Sequence, residues 1–140
     1  DLLTIHDYEG DGSVLQERYA SLESILQSRP ANRDFFVNGY AYQNQPVLVT
    51  EFGGIAYQKD AQEGWGYTTA QDDDDFLQRY RAVLDGILLS PVVQGFCYTQ
   101  FTDVEQEING LLTYHRKPKV DLALLHEINT GATAFPSDTT

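Results

Sequence analysis

Pro46-Val47-Leu48-Val49-Thr50-Glu51-Phe52-Gly53-Gly54 is the stretch of sequence on which the fold prediction depends. The continuous apolar run in this stretch is typical of a parallel strand that is buried on both faces, so a strand is predicted from Pro46 to Phe52. Glu51 stands at the carboxyl end of that strand. Gly53-Gly54 allows the backbone to turn sharply directly behind the carboxylate.

Strand and helix patterns alternate on both sides of this stretch. A first strand is predicted from Leu2 to Tyr8, and a third from Val92 to Phe101, which is rich in β-branched and aromatic residues. Between the first two strands, the apolar spacing predicts one helix that begins near Ser13, ends at Pro30 and buries four residues on one face: Leu15, Tyr19, Leu22 and Leu26.

Two more helices follow the second and third strands. Four consecutive acids from Asp72 to Asp75 suit the positive end of a helix dipole, and the helix they begin is predicted to bury Phe76, Tyr80, Val83, Leu84 and Ile87. The last helix is predicted over about 120–129, with Leu122, Leu125 and Ile128 on one face. Cys97 is predicted to be a small core residue of the third strand.

This alternation predicts an α/β fold with a parallel sheet and right-handed crossovers. Two architectures fit it: a slice of a (β/α)8 barrel, or a small doubly wound domain. In both, chemistry belongs at the carboxyl ends of the strands. The polar and aromatic candidates at those ends are His6, Asp7, Tyr8, Glu51, Tyr98, Gln100 and Asp103.

Composition excludes several other classes of function. The formal net charge of −12 argues against nucleic acid and anionic membranes as partners. The three histidines lack metal-ligand spacing, and no nucleophile elbow, phosphate loop or dinucleotide fingerprint occurs, so no cofactor is expected. The sequence carries no targeting signal from which a compartment can be read. Because it lacks Met and begins at Asp1, we expect a mature product or an excised fragment.

Glu51 fits the chemistry of glycoside hydrolysis, in which one carboxyl group protonates the leaving oxygen and another attacks the anomeric carbon or activates water. Judged from these residues alone, the interpretation that Glu51 merely ends a strand is the stronger of the two. Aromatic rings in the following loop, at Tyr57, Trp65 and Tyr67, offer the flat apolar faces on which a sugar stacks.

His6, Gln100 and Asp103 are candidate sugar contacts from the same strand ends. The alternatives are an apolar plug for Trp65, a hydrogen-bonded structural histidine for His6, and a solvated loop or a helix start for Asp103. Asp7 is expected to be structural.

Four segments together resemble glycoside hydrolase family 2, the family of β-galactosidase-like and β-glucuronidase-like enzymes. Pro46 to Ala56 resembles its seventh-strand motif, and Gly95 to Lys119 resembles the eighth-strand region of one bacterial branch. Ile5-His6-Asp7-Tyr8 and Gly64-Trp65-Gly66-Tyr67 resemble the end of strand six and the loop after strand seven. The resemblance implies strands six to eight of a (β/α)8 barrel over residues 1–130, with a coil tail over 131–140.

The same resemblance implies a retaining, double-displacement mechanism on β-glycosides with Glu51 as nucleophile. Trp65, Tyr8 and Tyr98 would line the sugar subsite, although many relatives carry Trp where this chain has Tyr98. The acid/base Glu of the family follows an Asn at the end of strand four, and this sequence contains no Asn-Glu pair. We therefore expect the isolated chain to be inactive, because a nucleophile without its acid cannot protonate the leaving group.

A carbohydrate substrate is the expected partner. Self-association is also expected, because a cut barrel exposes two strand edges. The rival interpretation is a non-catalytic carbohydrate-binding or structural α/β domain, in which Glu51 has a structural role. A flavodoxin-like nucleotide binder would need the phosphate loop that is missing from this sequence.

Overall fold

A computed structural model describes residues 1–59 and 63–131. In chain order its elements are β1 (Leu3–Asp7), α1 (Gly12–Arg18), α2 (Leu22–Gln27), a 3-10 turn (Pro30–Asn32), β2 (Val47–Gly53), β3 (Ile55–Ala56), β4 (Thr68–Thr69), α3 (Asp73–Leu88), β5 (Val93–Thr99) and α4 (Leu122–Thr130). No helix in the described ranges has both the length and the apolar character needed to cross a bilayer.

The main sheet has three parallel strands in the order β1-β2-β5. This confirms the prediction of an α/β fold with a parallel sheet. Parallel neighbours require crossover connections, and here helices provide them: α1 and α2 precede β2, and α3 precedes β5. The sheet is open and no barrel is closed among the described residues.

The pairing register contains a bulge in β2. Ile5 pairs with Val49 but His6 pairs with Glu51, so Thr50 is an extra residue on its strand. The pairing with β5 agrees, since two residues lie between Val49 and Phe52 while only one lies between their partners there. A bulge of this kind changes the face to which every later side chain points.

The helices cover one face of this sheet. The buried strand residues on that face are Leu3, Ile5, Val47, Val49 and Phe52. On the other face Thr4 and His6 are exposed, and Leu48 is only partly covered. The expectation that β2 is buried on both faces is therefore wrong. Cys97 is exposed on β5, so its prediction as a core residue is also wrong.

The predicted single helix after β1 is two short helices. Asp11 caps α1 by accepting a hydrogen bond from the Ser13 amide, and Ser21 caps α2 by accepting from the Ser24 amide. The second cap restarts the helix after a break, which changes its phase. Leu15 and Tyr19 are buried as predicted, but Ile25 takes the core position expected for Leu26.

The other helices follow their predictions more closely. Asp72 caps α3, the three acids that follow lie in its first turn, and all five predicted core residues of this helix are buried. Gly131 ends α4 in the left-handed conformation. Leu125 and Ile128 of α4 are buried, but Leu122, the first residue of the helix, is 51% exposed, so its prediction as a residue of the buried face is wrong. The predicted tail over 131–140 lies outside the described residues from 132 onward.

Two short strands, β3 and β4, interrupt what was predicted as a loop after β2. They pair in parallel through Ile55 with Thr68 and Ala56 with Thr69. Backbone hydrogen bonds tie this segment to the loop after β5: the Trp65 amide donates to Gln106 at 2.8 Å, and the Ile108 amide donates to Trp65 at 3.0 Å. The loops that follow β2 and β5 therefore form one connected rim beside the carboxyl ends of the strands.

Candidate active site

Glu51 meets the end of β1 through two contacts. Its Oε2 accepts a 2.8 Å hydrogen bond from the Tyr8 hydroxyl and lies 3.2 Å from Nδ1 of His6. The Glu51 side chain remains 41% exposed. The carboxylate is thus oriented by two side chains of the neighbouring strand and still faces solvent, as a group that reacts with a ligand must.

Tyr8 joins three strand ends. Besides Glu51 on β2, its hydroxyl is hydrogen-bonded by the Thr99 side chain at the end of β5. Burial is the main factor that raises the pKa of Tyr8 above its ordinary value; the Thr99 hydrogen bond opposes the shift, and the bond to Glu51 adds to it. Tyr8 therefore keeps its proton near neutral pH and acts as a hydrogen-bond donor to the carboxylate. Thr99 was not predicted, because nothing in its sequence neighbourhood marks it.

A stacked pair of rings supports Tyr8. The Tyr67 ring lies parallel to it with centroids 3.7 Å apart and an interplanar angle of 9°. Gly54 packs below this pair at φ +61, where a Cβ would come within 2.5 Å of Tyr67 and 2.9 Å of Tyr8. Gly53, at φ +88, would place a Cβ 2.2 Å from the Tyr98 ring. The predicted glycine turn is confirmed, and it also makes room for the rings.

Trp65 continues this aromatic group. Its ring meets Tyr67 edge to face at 5.8 Å, and the two side chains are 48% and 52% exposed. Tyr57, in contrast, is buried against Phe76, and its hydroxyl donates to Asp73. Of the rings predicted after Glu51, Trp65 and Tyr67 offer open faces and Tyr57 belongs to the core.

The candidate sugar-binding side chains at the end of β5 and in the loop after it make hydrogen bonds within the rim. The Tyr98 hydroxyl donates to the Asn109 carbonyl at 3.2 Å, and Gln100 Nε2 donates to Asn109 Oδ1 at 2.6 Å. Asp103 is buried, where its Oδ1 accepts from Lys119 Nζ at 2.7 Å and from the Gly110 amide at 2.9 Å. Their role in binding a sugar stays a prediction, whereas the contacts themselves hold the rim together.

Asp7 anchors the strand below the site. It is buried, accepts a 2.9 Å hydrogen bond from the Tyr19 hydroxyl, and pairs with Arg18. Burial first, and then the Asp7 charge, raise the pKa of Tyr19. These contacts fix the end of β1 to α1, so Asp7 has the structural position that was expected for it.

An open cleft of about 1310 Å³ lies beside Glu51. His6, Tyr8, Glu51 and Tyr67 line it, together with residues of the loop after β1 and of the segment from Arg29 to Phe35. Trp65, Tyr98, Gln100 and Asp103 are not among its lining residues. In the part of the chain that the structure describes, no group of three or more His, Cys, Asp or Glu side chains is arranged to hold a metal ion.

The described residues define an α/β unit that carries a candidate carboxylate site at the carboxyl ends of its parallel strands. No family model matches the sequence, and no curated protein matches it. Solved structures do share the fold. A GH2 β-galacturonidase from Eisenbergiella tayi, bound to glycerol, aligns with a TM-score of 0.55 at 16% identity over 95% of this chain and 23% of that one.

Two further solved structures have the same fold over part of their length. The β-glucuronidase of Ruminococcus gnavus has a TM-score of 0.55 at 14% identity, covering 93% of this chain and 22% of its own. An exo-β-agarase has a TM-score of 0.52 at 15% identity, covering 65% and 13%. The chain thus spans less than a quarter of the length of these proteins. At these identities the likeness establishes a shared fold.

Proposed function

We propose that this chain is the part of a retaining glycoside hydrolase that carries the nucleophile, Glu51, and that the parent enzyme acts on β-glycosides. The observation that carries the proposal is the contact of Glu51 with Tyr8 and His6 at adjacent strand ends beside an open cleft. A nucleophilic carboxylate must be ionised, oriented and accessible, and donor groups on a rigid strand supply the orientation.

Residues 1–130 are proposed to form strands six to eight of a (β/α)8 barrel, with the helices of these strands. Helices cover one face of the sheet and leave the other face open, as in a slice of a barrel whose inner face would meet further strands. A doubly wound domain would instead have helices on both faces. The fold shared with a GH2 β-galacturonidase and a β-glucuronidase supports the glycoside hydrolase class of chemistry.

In the proposed mechanism, the Glu51 carboxylate attacks the anomeric carbon while a general acid protonates the departing glycosidic oxygen. The C–O bond to the leaving group breaks as the bond to Glu51 Oε1 or Oε2 forms. Water then hydrolyses the glycosyl ester, and the acid residue takes the proton from that water. Tyr8 holds the carboxylate in position by donating to Oε2. The acid is assigned to a part of the parent protein outside this sequence.

The proposed sugar contacts fall into two groups, one at Glu51 and one on the rim. Tyr8 and His6 lie at the Glu51 carboxylate, and Trp65 supplies an open ring at the rim. Tyr98 near the end of β5, and Gln100 and Asp103 in the loop that follows, are proposed to act through the rim segment they hold together.

Labelling of the parent protein with a 2-fluoro β-glycoside that carries a good leaving group tests the proposal. Mass spectrometry of the digested protein is expected to find the fluoroglycosyl group on Glu51, and Glu51→Gln is expected to abolish both labelling and turnover. The matched control is Glu63→Gln, which removes a carboxylate elsewhere in the same loop region. A label on another carboxylate, or full activity in Glu51→Gln, would overturn the assignment.

The isolated chain is proposed to be inactive, because general acid catalysis typically supplies about 10²–10⁴-fold and the acid is missing. Hydrolysis of a nitrophenyl β-glycoside by the 140-residue chain, abolished by Glu51→Gln, would contradict this.

A non-catalytic carbohydrate-binding role is the second candidate. The exposure of the Trp65 and Tyr67 rings favours it, since such rings bind sugars without any chemistry. Calorimetry of the parent protein with glycans separates the two functions. Sugar affinity that is lost in Trp65→Ala, in a parent protein without hydrolase activity or labelling, would support the binding role.

A further inference from the structure

The lysines of this chain are gathered at one place. The sequence has three of them, Lys59, Lys117 and Lys119, in a chain of net charge −12. All three line a single cavity of about 310 Å³, together with Thr113, His115 and Pro118. Although the chain has 21 acidic residues, no Asp or Glu in the described ranges lines this cavity. The cavity lies on the rim formed after β5, away from the cleft beside Glu51.

Two of the three lysines are held in place by acids behind the cavity wall. Lys119 is buried, where its Nζ donates to Asp103 at 2.7 Å and to the Ile108 carbonyl at 2.8 Å. Lys59 pairs with Asp73, which raises the pKa of the ammonium, and its Nζ lies 5.1 Å from the centre of the Tyr57 ring. Each of these ion pairs is close to electrically neutral. The two lysines therefore form part of the cavity lining but contribute little net charge to it.

The net positive charge comes from the turn between Thr113 and Lys117. Lys117 is exposed and makes no ion pair with any residue in the ranges 1–59 and 63–131. His115 beside it is exposed and packs edge to face against Tyr114. The buried Thr113 hydroxyl accepts from the Lys117 amide at 3.2 Å, which leaves its own proton for an acceptor. The cavity therefore presents one unpaired ammonium, an imidazole and a hydroxyl donor.

We propose that this cavity is a binding site for a phosphate or sulfate group. An ammonium is a compact point charge with rotatable donors, which suits the tetrahedral arrangement of these oxyanions. A planar carboxylate is matched best by the fork of an arginine, and no arginine of the described ranges lines the cavity. The volume is at the lower end of the roughly 300–1,000 Å³ usual for small-molecule sites, which fits a small anionic group.

The charge balance also favours a small ligand over a polyanion. The chain as a whole carries a net charge of −12, and this repels long polyanions while leaving one local positive site. The group is therefore either a free inorganic oxyanion or a single phosphate or sulfate on a small molecule. The site does not depend on the role proposed for Glu51 and is tested separately from it.

The test is a titration of the 140-residue chain by two-dimensional amide NMR at constant ionic strength set with sodium chloride. The probes are inorganic phosphate, inorganic sulfate, glucose 6-phosphate and acetate. Saturable shifts confined to the backbone around residues 113–119 and Lys59 are expected with the first three. Saturation by the inorganic ions as tightly as by glucose 6-phosphate assigns a free oxyanion, and tighter binding of glucose 6-phosphate assigns a ligand-borne group.

The variants are matched in charge. Lys117→Gln is expected to weaken binding on the order of tenfold, since it removes the unpaired cation. Arg116→Gln makes the same charge change at the exposed neighbouring residue, which does not line this cavity, and is expected to leave the affinity within about twofold. Shifts that do not saturate, equal binding of acetate, or an equal loss in both variants would overturn the proposal. Both substituted residues are exposed, so neither variant disturbs the core.

Discussion

Glu51 lies opposite His6 on the neighbouring strand, although regular pairing from Val49 and Ile5 onward would place it opposite Asp7. The cause is the extra residue Thr50 in β2. Strand side chains alternate between faces, so an unbulged β2 would turn Glu51 towards the helices together with Val47 and Val49. The bulge turns the carboxylate to the open face and the Phe52 ring into the core. The orientation of the Glu51 side chain therefore depends on a shift of one residue in the pairing register of β2.

Deletion of Thr50 tests this account of the strand. Without Thr50, β2 alternates regularly and still places Glu51 opposite His6 and Phe52 in the core, so we expect a modest loss of stability, below about 2 kcal/mol. Deletion of Leu48, from the part of β2 that pairs regularly with β1, turns Val47 out of the core and is expected to cost about 2–3 kcal/mol more. Urea unfolding of both variants gives the comparison. A Thr50 deletion that proves the more damaging of the two would contradict the bulge.

Tyr8→Phe removes the hydroxyl that orients Glu51 and keeps the ring that stacks on Tyr67. Hydrogen bonds to charged groups contribute about 1.5–3 kcal/mol, so we expect kcat of the parent enzyme on an aryl β-glycoside to fall about 10–100-fold. Tyr57→Phe is the matched control, because it also removes a phenol that donates to a carboxylate, at Asp73 and away from Glu51. Equal kinetic losses in the two variants would show that Tyr8 has no special role.

Lys119→Met leaves Asp103 buried without its cation. Because an uncompensated buried charge is costly, we expect the free energy of unfolding to fall by about 3–5 kcal/mol. Adding Asp103→Asn should recover much of this loss, since the amide oxygen can still accept from the Gly110 amide. Lys117→Met, two residues away and exposed, is expected to change stability by less than about 0.5 kcal/mol. Denaturant unfolding measures all three, and a loss of the same size in Lys117→Met would refute the assignment.

The Lys59–Asp73 pair predicts part of the acid sensitivity of the chain. The hydrogen bond from Lys59, followed by that from Tyr57, holds the pKa of Asp73 below its ordinary value of 3.8. Stability from a lowered carboxyl pKa is present above the unfolded-state value and is lost as pH falls through the folded-state value. Asp73 is half exposed, so solvent screening limits this contribution to less than about 1 kcal/mol.

We therefore expect Asp73→Asn to flatten the fall in unfolding free energy between about pH 5 and pH 2. Asp74→Asn is the control, because it lies in the same first turn of α3 and loses the same interaction with the helix dipole. Urea unfolding across this range compares the two variants with the unsubstituted chain. Identical pH profiles for Asp73→Asn and Asp74→Asn would show that the Lys59–Asp73 pair does not contribute to the acid sensitivity of the chain.

The open edges of the main sheet predict self-association of the isolated chain. β1 and β5 are the end strands of the open sheet, and end strands carry backbone groups that can pair with another chain. We expect sedimentation at high concentration to show association of the isolated chain. Cys97→Ser should leave it unchanged, which excludes a disulfide, and Cys97→Lys should weaken it by placing a charge on the exposed part of β5. A strictly monomeric chain would contradict the prediction.

Sequence patterns predicted the elements with local causes. The acid run at Asp72–Asp75 marked the start of α3, and Gly131 marked the end of α4, because caps and dipole interactions depend on adjacent residues. The same patterns failed where tertiary contacts decide. The break between α1 and α2 moved Leu26 out of the core. Cys97 is exposed because helices cover only one face of the sheet that contains β5.

By itself, the sequence determined the order of the three main strands with helical segments between them, the position of Glu51 near a strand end, and the glycine turn behind it. All of these follow from local spacing and backbone conformation. Only the tertiary structure decided which face Glu51 occupies and which side chains meet it. Counting alternate residues from Val47 puts Glu51 in the core, whereas pairing with β1 and β5 forces a bulge at Thr50 and brings the carboxylate to His6 and Tyr8. That pairing joins residues more than forty positions apart, and no local pattern encodes it.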